Sequence, residues 1–206
     1  MEEKISIKSG ELLLEGLFDP SGINGKGVII THPHPLYGGN MYNNVVETLV
    51  SVFKDRGYST LRFNFRGAGS SQGHHTESGD GEMQDVAAAA AFIVEKGLSP
   101  VFLAGYSYGS WVSHSAACRG FLASFPLEGM LLVSPPVDFI GFDKKSVNLE
   151  LKIISGGYDN LGRPFSVKKV MNDWARAVYF ESIEEADHFW VGHEDDLYEK
   201  ALTAIS

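Results

Sequence analysis

The chain predicts an α/β fold built on a mainly parallel, twisted sheet with helices on both faces. Three observations carry this. Short, almost wholly apolar runs such as residues 28–30 and 101–104 have the pattern of strands buried on both sides. Longer segments between them place apolar residues at helical spacing, as at Val46, Leu49 and Phe53 ahead of the stop at Gly57. The two kinds of segment alternate along the chain, which is the signature of βαβ crossovers.

Each element follows in order. Residues 4–8 and 11–18, around Ser9-Gly10, read as an antiparallel hairpin at the sheet edge, and Asp19-Pro20-Ser21-Gly22 is the turn after it. A strand at 28–30 leads through a loop to a helix from Tyr42. A strand over 60–65, a helix over 82–95, a strand over 101–104 and a helix over 108–118 follow. The alanine run 87–91 suits a helix lying close on a sheet. Strands at 130–133 and 151–154, a helix near 167–174, a strand near 178–180 and a helix from His193 complete the alternation. No repeat or linker interrupts it, and 206 residues suit a single domain spanning 1–206.

Composition narrows the function. With 44% hydrophobic and 21% charged residues, the chain is neither disordered, collagenous nor a coiled coil. A net charge of −9 without a dense Lys/Arg block argues against nucleic acid or an anionic membrane surface as partner. The longest apolar run, 86–94, has nine residues, half of what a spanning helix needs. The single cysteine, Cys118, cannot form an internal disulfide, and Met1-Glu2-Glu3-Lys4 is not a secretory leader, so a cytoplasmic protein is expected.

In an open parallel sheet, reactive groups sit in loops at the carboxyl ends of strands. Two segments there match Gly-x-Ser-x-Gly. Gly105-Tyr106-Ser107-Tyr108-Gly109 joins a strand directly to a helix, the context of a nucleophile elbow. Gly69-Ser70-Ser71-Gln72-Gly73 lies beyond its strand and runs into polar His74-His75-Thr76-Glu77, which makes Ser71 a loop residue. A serine hydroxyl needs an imidazole to take its proton, and the imidazole needs an orienting carboxylate. Asp159, after the strand at 151–154 and Ser155-Gly156-Gly157-Tyr158, is placed to be the acid. His188, between the last strand and the last helix, is placed to be the base. Asp138 and His193 are the rivals, His193 reading instead as the start of a helix favoured by Glu194, Asp195 and Asp196.

Acyl transfer also requires donors for an oxyanion. The amide of Tyr108, next to the nucleophile, is one. The second belongs to the loop Thr31-His32-Pro33-His34-Pro35-Leu36-Tyr37-Gly38-Gly39-Asn40, where Pro33 and Pro35 lack an N–H. That leaves the amides of His34, Leu36 or Tyr37, with His34 first. Leu36, Tyr37, Tyr106, Phe189 and Trp190 are candidates to line an acyl pocket.

These segments, with Arg62-Phe63-Asn64-Phe65-Arg66-Gly67 and Asp187-His188-Phe189, resemble the α/β-hydrolase fold. Within it the chain is similar to the small, lidless bacterial serine hydrolases related to dienelactone hydrolases and carboxylesterases. Such relatives commonly carry Gly-Asp-x-Asp where this chain has Gly156-Gly157-Tyr158-Asp159, so the first acid is missing and the second remains. Dienelactone hydrolases proper use a cysteine nucleophile where this chain has Ser107. Only about 17 residues separate Val133 from Leu151, too few for a helical cap domain. The resemblance implies a serine hydrolase of small carboxylic esters or thioesters on a triad of Ser107, Asp159 and His188. It needs no cofactor and no metal, its partner is a small-molecule ester, and homodimer formation is left open. An acyltransferase or perhydrolase on the same triad, or a non-catalytic binding module, are the alternatives.

Other signals read as structural. Ser166-x-x-Lys169 matches a β-lactamase motif without its companions, and Ser166 is expected to cap a helix after Pro164. His74, His75 and Asp80 read as a solvated loop, and Arg62 and Arg66 as ties for the loop after the strand at 60–65.

Overall fold

The computed structural model describes residues 1–175 and 178–205. The strands are β1 (Glu3–Ser9), β2 (Leu12–Asp19), β3 (Gly27–Thr31), β4 (Ser59–Phe63), β5 (Val101–Tyr106), β6 (Leu127–Val133), β7 (Glu150–Gly156) and β8 (Val178–Ile183). They form one sheet in the order β1-β2-β4-β3-β5-β6-β7-β8. The β1–β2 hairpin is antiparallel, and β2 joins β4 antiparallel; from β4 to β8 every pairing is parallel.

All residues of β3, β4 and β5 are buried, as strands covered on both faces must be; in β4 this includes the polar Ser59, Thr60 and Arg62. Strand alternation divides the core in two. Val28 and Ile30 pack with Val46, Leu49, Phe53 and Leu197, under helices α1 (Asn44–Asp55) and α5 (Glu194–Ala204). Ile29 points the other way, into the cluster with Val86, Ala89, Ala90, Val112 and Ala116 of helices α2 (Asp80–Glu95) and α3 (Tyr108–Cys118). Ala89 and Ala90 have no exposed surface, so the alanine run does bring α2 close to the sheet.

Three elements depart from expectation, each for a local hydrogen-bonding reason. The first helix begins at Asn44, not Tyr42, because the Asn43 side chain accepts from the Val45 amide at 3.0 Å and caps it. Strand β4 ends at Phe63: Asn64 N–H still donates to Glu15 O, its in-register neighbour on β2, at 2.9 Å, but Phe65 N–H turns away to His32 Nε2 at 3.0 Å. The segment expected as one helix over 167–174 is α4 (Pro164–Val170) followed by a 3₁₀ turn, Met171–Asp173. There Pro164 takes the first helical position and Arg163 the cap, so Ser166 lies inside the first turn and is not the cap.

Residues 134–149, between β6 and β7, carry neither helix nor strand, and among the described residues no cap domain covers the sheet. No helix among the described residues is long and apolar enough to cross a membrane.

Candidate active site

Strands β3 and β5 are neighbours where the strand order reverses, so the loops leaving their carboxyl ends diverge and open a crevice. Ser107 stands at its floor as the N-cap of α3, with φ 53 and ψ −119. That strained conformation is held by close packing on both sides. A Cβ at Gly105 would lie 2.6 Å from the Gly109 carbonyl oxygen, and one at Gly109 would lie 2.6 Å from the Thr31 carbonyl oxygen. Both flanking glycines are therefore required for the helix to start this close to β3. The Ser107 amide donates to Val133 O at 2.9 Å, fixing the turn to β6.

Ser107 Oγ lies 2.9 Å from His188 Nε2, and His188 Nδ1 lies 2.9 and 2.8 Å from the two carboxylate oxygens of Asp159. Asp159 is itself oriented: its Oδ1 accepts from the amides of Leu161 and Gly162, both at 2.9 Å. The Tyr106 hydroxyl donates to the His188 carbonyl at 2.8 Å and pins the histidine backbone. The loops meet because two glycines allow it. A Cβ at Gly156 would stand 2.4 Å from Ala186 O, and one at Gly157 2.3 Å from Glu184 O. This also explains the missing acid at 157, where the backbone leaves no room for a side chain. Ser107 and His188 are largely buried but line the floor of the crevice, while Asp159 lies behind them, almost without exposed surface.

The rivals are engaged elsewhere. Asp138 receives two side-chain bonds from Arg163, which hold its carboxyl well below the usual carboxylate range. His193 caps α5 and bonds Asp196 at 2.9 Å. The Ser71 hydroxyl donates to Asn64 O at 2.7 Å and accepts from the Glu15 amide at 2.9 Å. Arg66 grips the buried Asp85, and Arg62 bonds Glu2, Glu47 and the Met41 carbonyl, as expected of ties around the β4 exit. His75 bonds the buried Glu82, and no cluster of three or more His, Cys, Asp or Glu side chains suited to a metal occurs among the described residues.

The loop after β3 is held by His32, which is fully buried. Its Nδ1–H donates to Pro33 O at 2.6 Å, and its Nε2 accepts from Phe65 N–H. Burial lowers His32 to about 4, so it is the neutral ring that makes both bonds. Of the three amides considered for the second donor, that of Leu36 is taken by His34 Nδ1 at 3.2 Å and that of Tyr37 by His34 O at 3.0 Å. The amides of His34 and Tyr108 meet no acceptor among the described residues. The His34 ring packs against Tyr108, His75 and Tyr37 at centroid separations of 4.5, 4.6 and 5.0 Å. Burial, and then the neighbouring His75, lower its proton affinity and favour a neutral ring.

Above Ser107 opens a cleft of about 500 Å³, within the usual range for small-molecule sites. Tyr37, Tyr106 and Phe189 line it. Leu36 and Trp190 do not. Leu36 stands 71% exposed on the 3₁₀ turn Pro35–Tyr37, and Trp190 is wholly buried, its Nε1–H donating to Ser134 Oγ at 3.0 Å. With φ 63 at Trp190 the backbone reverses just after Phe189, and the two aromatic rings part. The opposite wall, Pro136, Phe139, Ile140 and Leu161, escaped sequence reasoning, because it comes from irregular loops without periodicity.

The sheet order, the sharp turn bearing Ser107 and the bare carboxyl edge place the chain among the α/β-hydrolases without a lid. Solved structures agree. An α/β serine hydrolase homologue from Coxiella burnetii superposes with a TM-score of 0.90 at 30% identity, covering 99% of this chain and 97% of that one. An α/β serine hydrolase without lid from Xanthomonas campestris superposes with a TM-score of 0.88 at 23% identity, covering 99% and 93%. An uncharacterized protein of Rickettsia prowazekii (strain Madrid E) is 30% identical over 190 residues, 87% of this chain and 77% of that protein. Within the class, the chain belongs to the serine aminopeptidase S33 family, whose pattern residues 28–155 match.

Proposed function

We propose that this α/β-hydrolase cleaves small carboxylic esters or thioesters through an acyl-enzyme on Ser107. The observation that carries the reading is the unbroken run from Ser107 Oγ to His188 Nε2, 2.9 Å, and from His188 Nδ1 to Asp159, 2.8 Å, beneath an open, mainly apolar cleft. Ser107 Oγ attacks the carbonyl carbon as His188 Nε2 takes its proton. Asp159 holds the ring with Nε2 facing the serine and stabilises the imidazolium that forms. The free amides of Tyr108 and His34 receive the oxyanion; one such donor is worth about 10²–10³ in rate when preset. His188 returns the proton to the leaving group, then activates water for deacylation.

Among the described residues the cleft walls include no Asp or Glu to pair with the ammonium of an amino-terminal residue. That supports uncharged acyl groups over peptide amino termini. The size of the cleft and the absence of a cap favour short or exposed acyl groups. The test is a series of p-nitrophenyl esters from acetate to laurate, with wild type and Ser107→Ala, beside an aminoacyl p-nitroanilide. The expected result is an optimum at short chains, little amide cleavage, and a loss of at least about 10³ in kcat on Ser107→Ala. Undiminished ester turnover by Ser107→Ala would overturn the assignment.

A further inference from the structure

The segment 136–140 has two faces. Pro136, Phe139 and Ile140 form one wall of the acyl cleft, while Val137 and Asp138 face a separate depression of about 610 Å³. Three cations, Lys144, Arg163 and Lys169, line it beside Ser166 and Val170, and Phe165, 80% exposed, stands at its edge. Three cations against the one carboxylate of Asp138 is a local reversal in a chain of net charge −9.

The cations differ in how they are held. Arg163 is fixed in advance: its amide, Nε and Nη2 all donate to Asp138, at 3.0, 3.0 and 3.1 Å, which leaves Nη1 of the planar fork for another acceptor. Lys144 and Lys169 are exposed, and neither makes an ion pair among the described residues. An immobilised guanidinium sharing a depression with two uncommitted ammonium groups suits adjacent phosphates, and the open face of Phe165 suits a heteroaromatic base.

Building on the serine hydrolase reading, we infer that this depression binds a nucleoside diphosphate carried on the leaving group of an acyl thioester whose acyl carbon reaches Ser107. In that reaction the Oγ–C bond forms and the C–S bond breaks. The Ser107 proton passes through His188 to the departing sulfur, so the nucleotide leaves as a free thiol without any further reactant.

Calorimetric titration with ADP and with pyrophosphate tests the site without relying on turnover. The wild type is expected to bind ADP saturably, with Kd below about 1 mM at low salt. Lys144→Glu/Lys169→Glu should weaken ADP about tenfold or more, and Phe165→Ala should weaken ADP but not pyrophosphate. Absence of saturable ADP binding, or an unchanged Kd in the double lysine variant, overturns the site. The link to the reaction is read from kcat/KM for acetyl-coenzyme A over S-acetyl-N-acetylcysteamine. This ratio is expected to exceed about ten in wild type and to approach one in the double variant. ADP binding with a wild-type ratio near one would overturn the leaving-group assignment. Equal thioester turnover by Ser107→Ala would instead overturn the serine hydrolase reading, while the ADP titration still reports on the depression.

Discussion

Replacing His32 by Gln tests how the loop beneath the proposed oxyanion donor is held. The wild-type ring makes two buried bonds, to Pro33 O at 2.6 Å and from Phe65 N–H at 3.0 Å, and only the neutral ring makes both. Its pKa is lowered from 6.5 to about 4, first by burial and then by the nearby His34, against the opposing bond to Pro33 O. Between these values the unfolded chain binds a proton that the folded chain refuses, so stability falls as pH drops from about 6.5 towards 4. Linkage over that interval amounts to about 2 kcal/mol between pH 7 and pH 5. The His32→Gln variant retains a donor and an acceptor without titrating. It should be less stable at pH 7 by about 1–3 kcal/mol through poorer bond geometry. His114, also lowered to about 4, contributes equally to both proteins and cancels. Urea unfolding followed by tryptophan fluorescence at pH 7 and pH 5 should therefore show the gap between the two shrinking by about 2 kcal/mol. A gap constant to about 0.5 kcal/mol would refute the assignment of His32 as a buried neutral clamp.

Gly109→Ala would set a methyl 2.6 and 2.7 Å from the carbonyl oxygens of Thr31 and His32, backbone atoms that cannot yield. A cost of about 2–3 kcal/mol, or a Tm lower by about 5–10 °C in scanning calorimetry, is expected, and an unchanged Tm would contradict the packing argument. Tyr106→Phe leaves the His188 carbonyl without its donor and should lower stability by about 1–2 kcal/mol, with kcat falling more than KM changes. A variant with wild-type kcat and stability would show that this bond does not position His188. Asp159→Asn removes the acceptor that sets the imidazole tautomer, so kcat should fall by about 10³–10⁴ in ester assays; a loss below about tenfold would exclude Asp159 as the orienting acid.

What was readable in the sequence follows from what the local chain can impose. The helix Tyr108–Cys118 and the elbow before it were legible because Gly105 and Gly109 mark a close approach that only they permit. The candidates Asp159 and His188 were legible as residues just past strand ends, and the structure brings both to Ser107. His34 became separable from Leu36 and Tyr37 only through the 3₁₀ turn, which occupies the latter two amides. The cleft walls were harder. Phe189 and Trp190 are adjacent aromatics of equal promise in sequence, and a single left-handed residue sends one to the cleft and the other to the core. The wall at Pro136, Phe139 and Ile140 has no period to read, and the cationic depression behind it joins residues about 25 positions apart through the Asp138–Arg163 pair.

The central claim is that Ser107 is an activated nucleophile. Intact-mass spectrometry after treatment with a fluorophosphonate tests it on wild type, Ser107→Ala and Ser71→Ala. One adduct on wild type and on Ser71→Ala, and none on Ser107→Ala, is the predicted result. No adduct on wild type, or an adduct that survives Ser107→Ala, would contradict it.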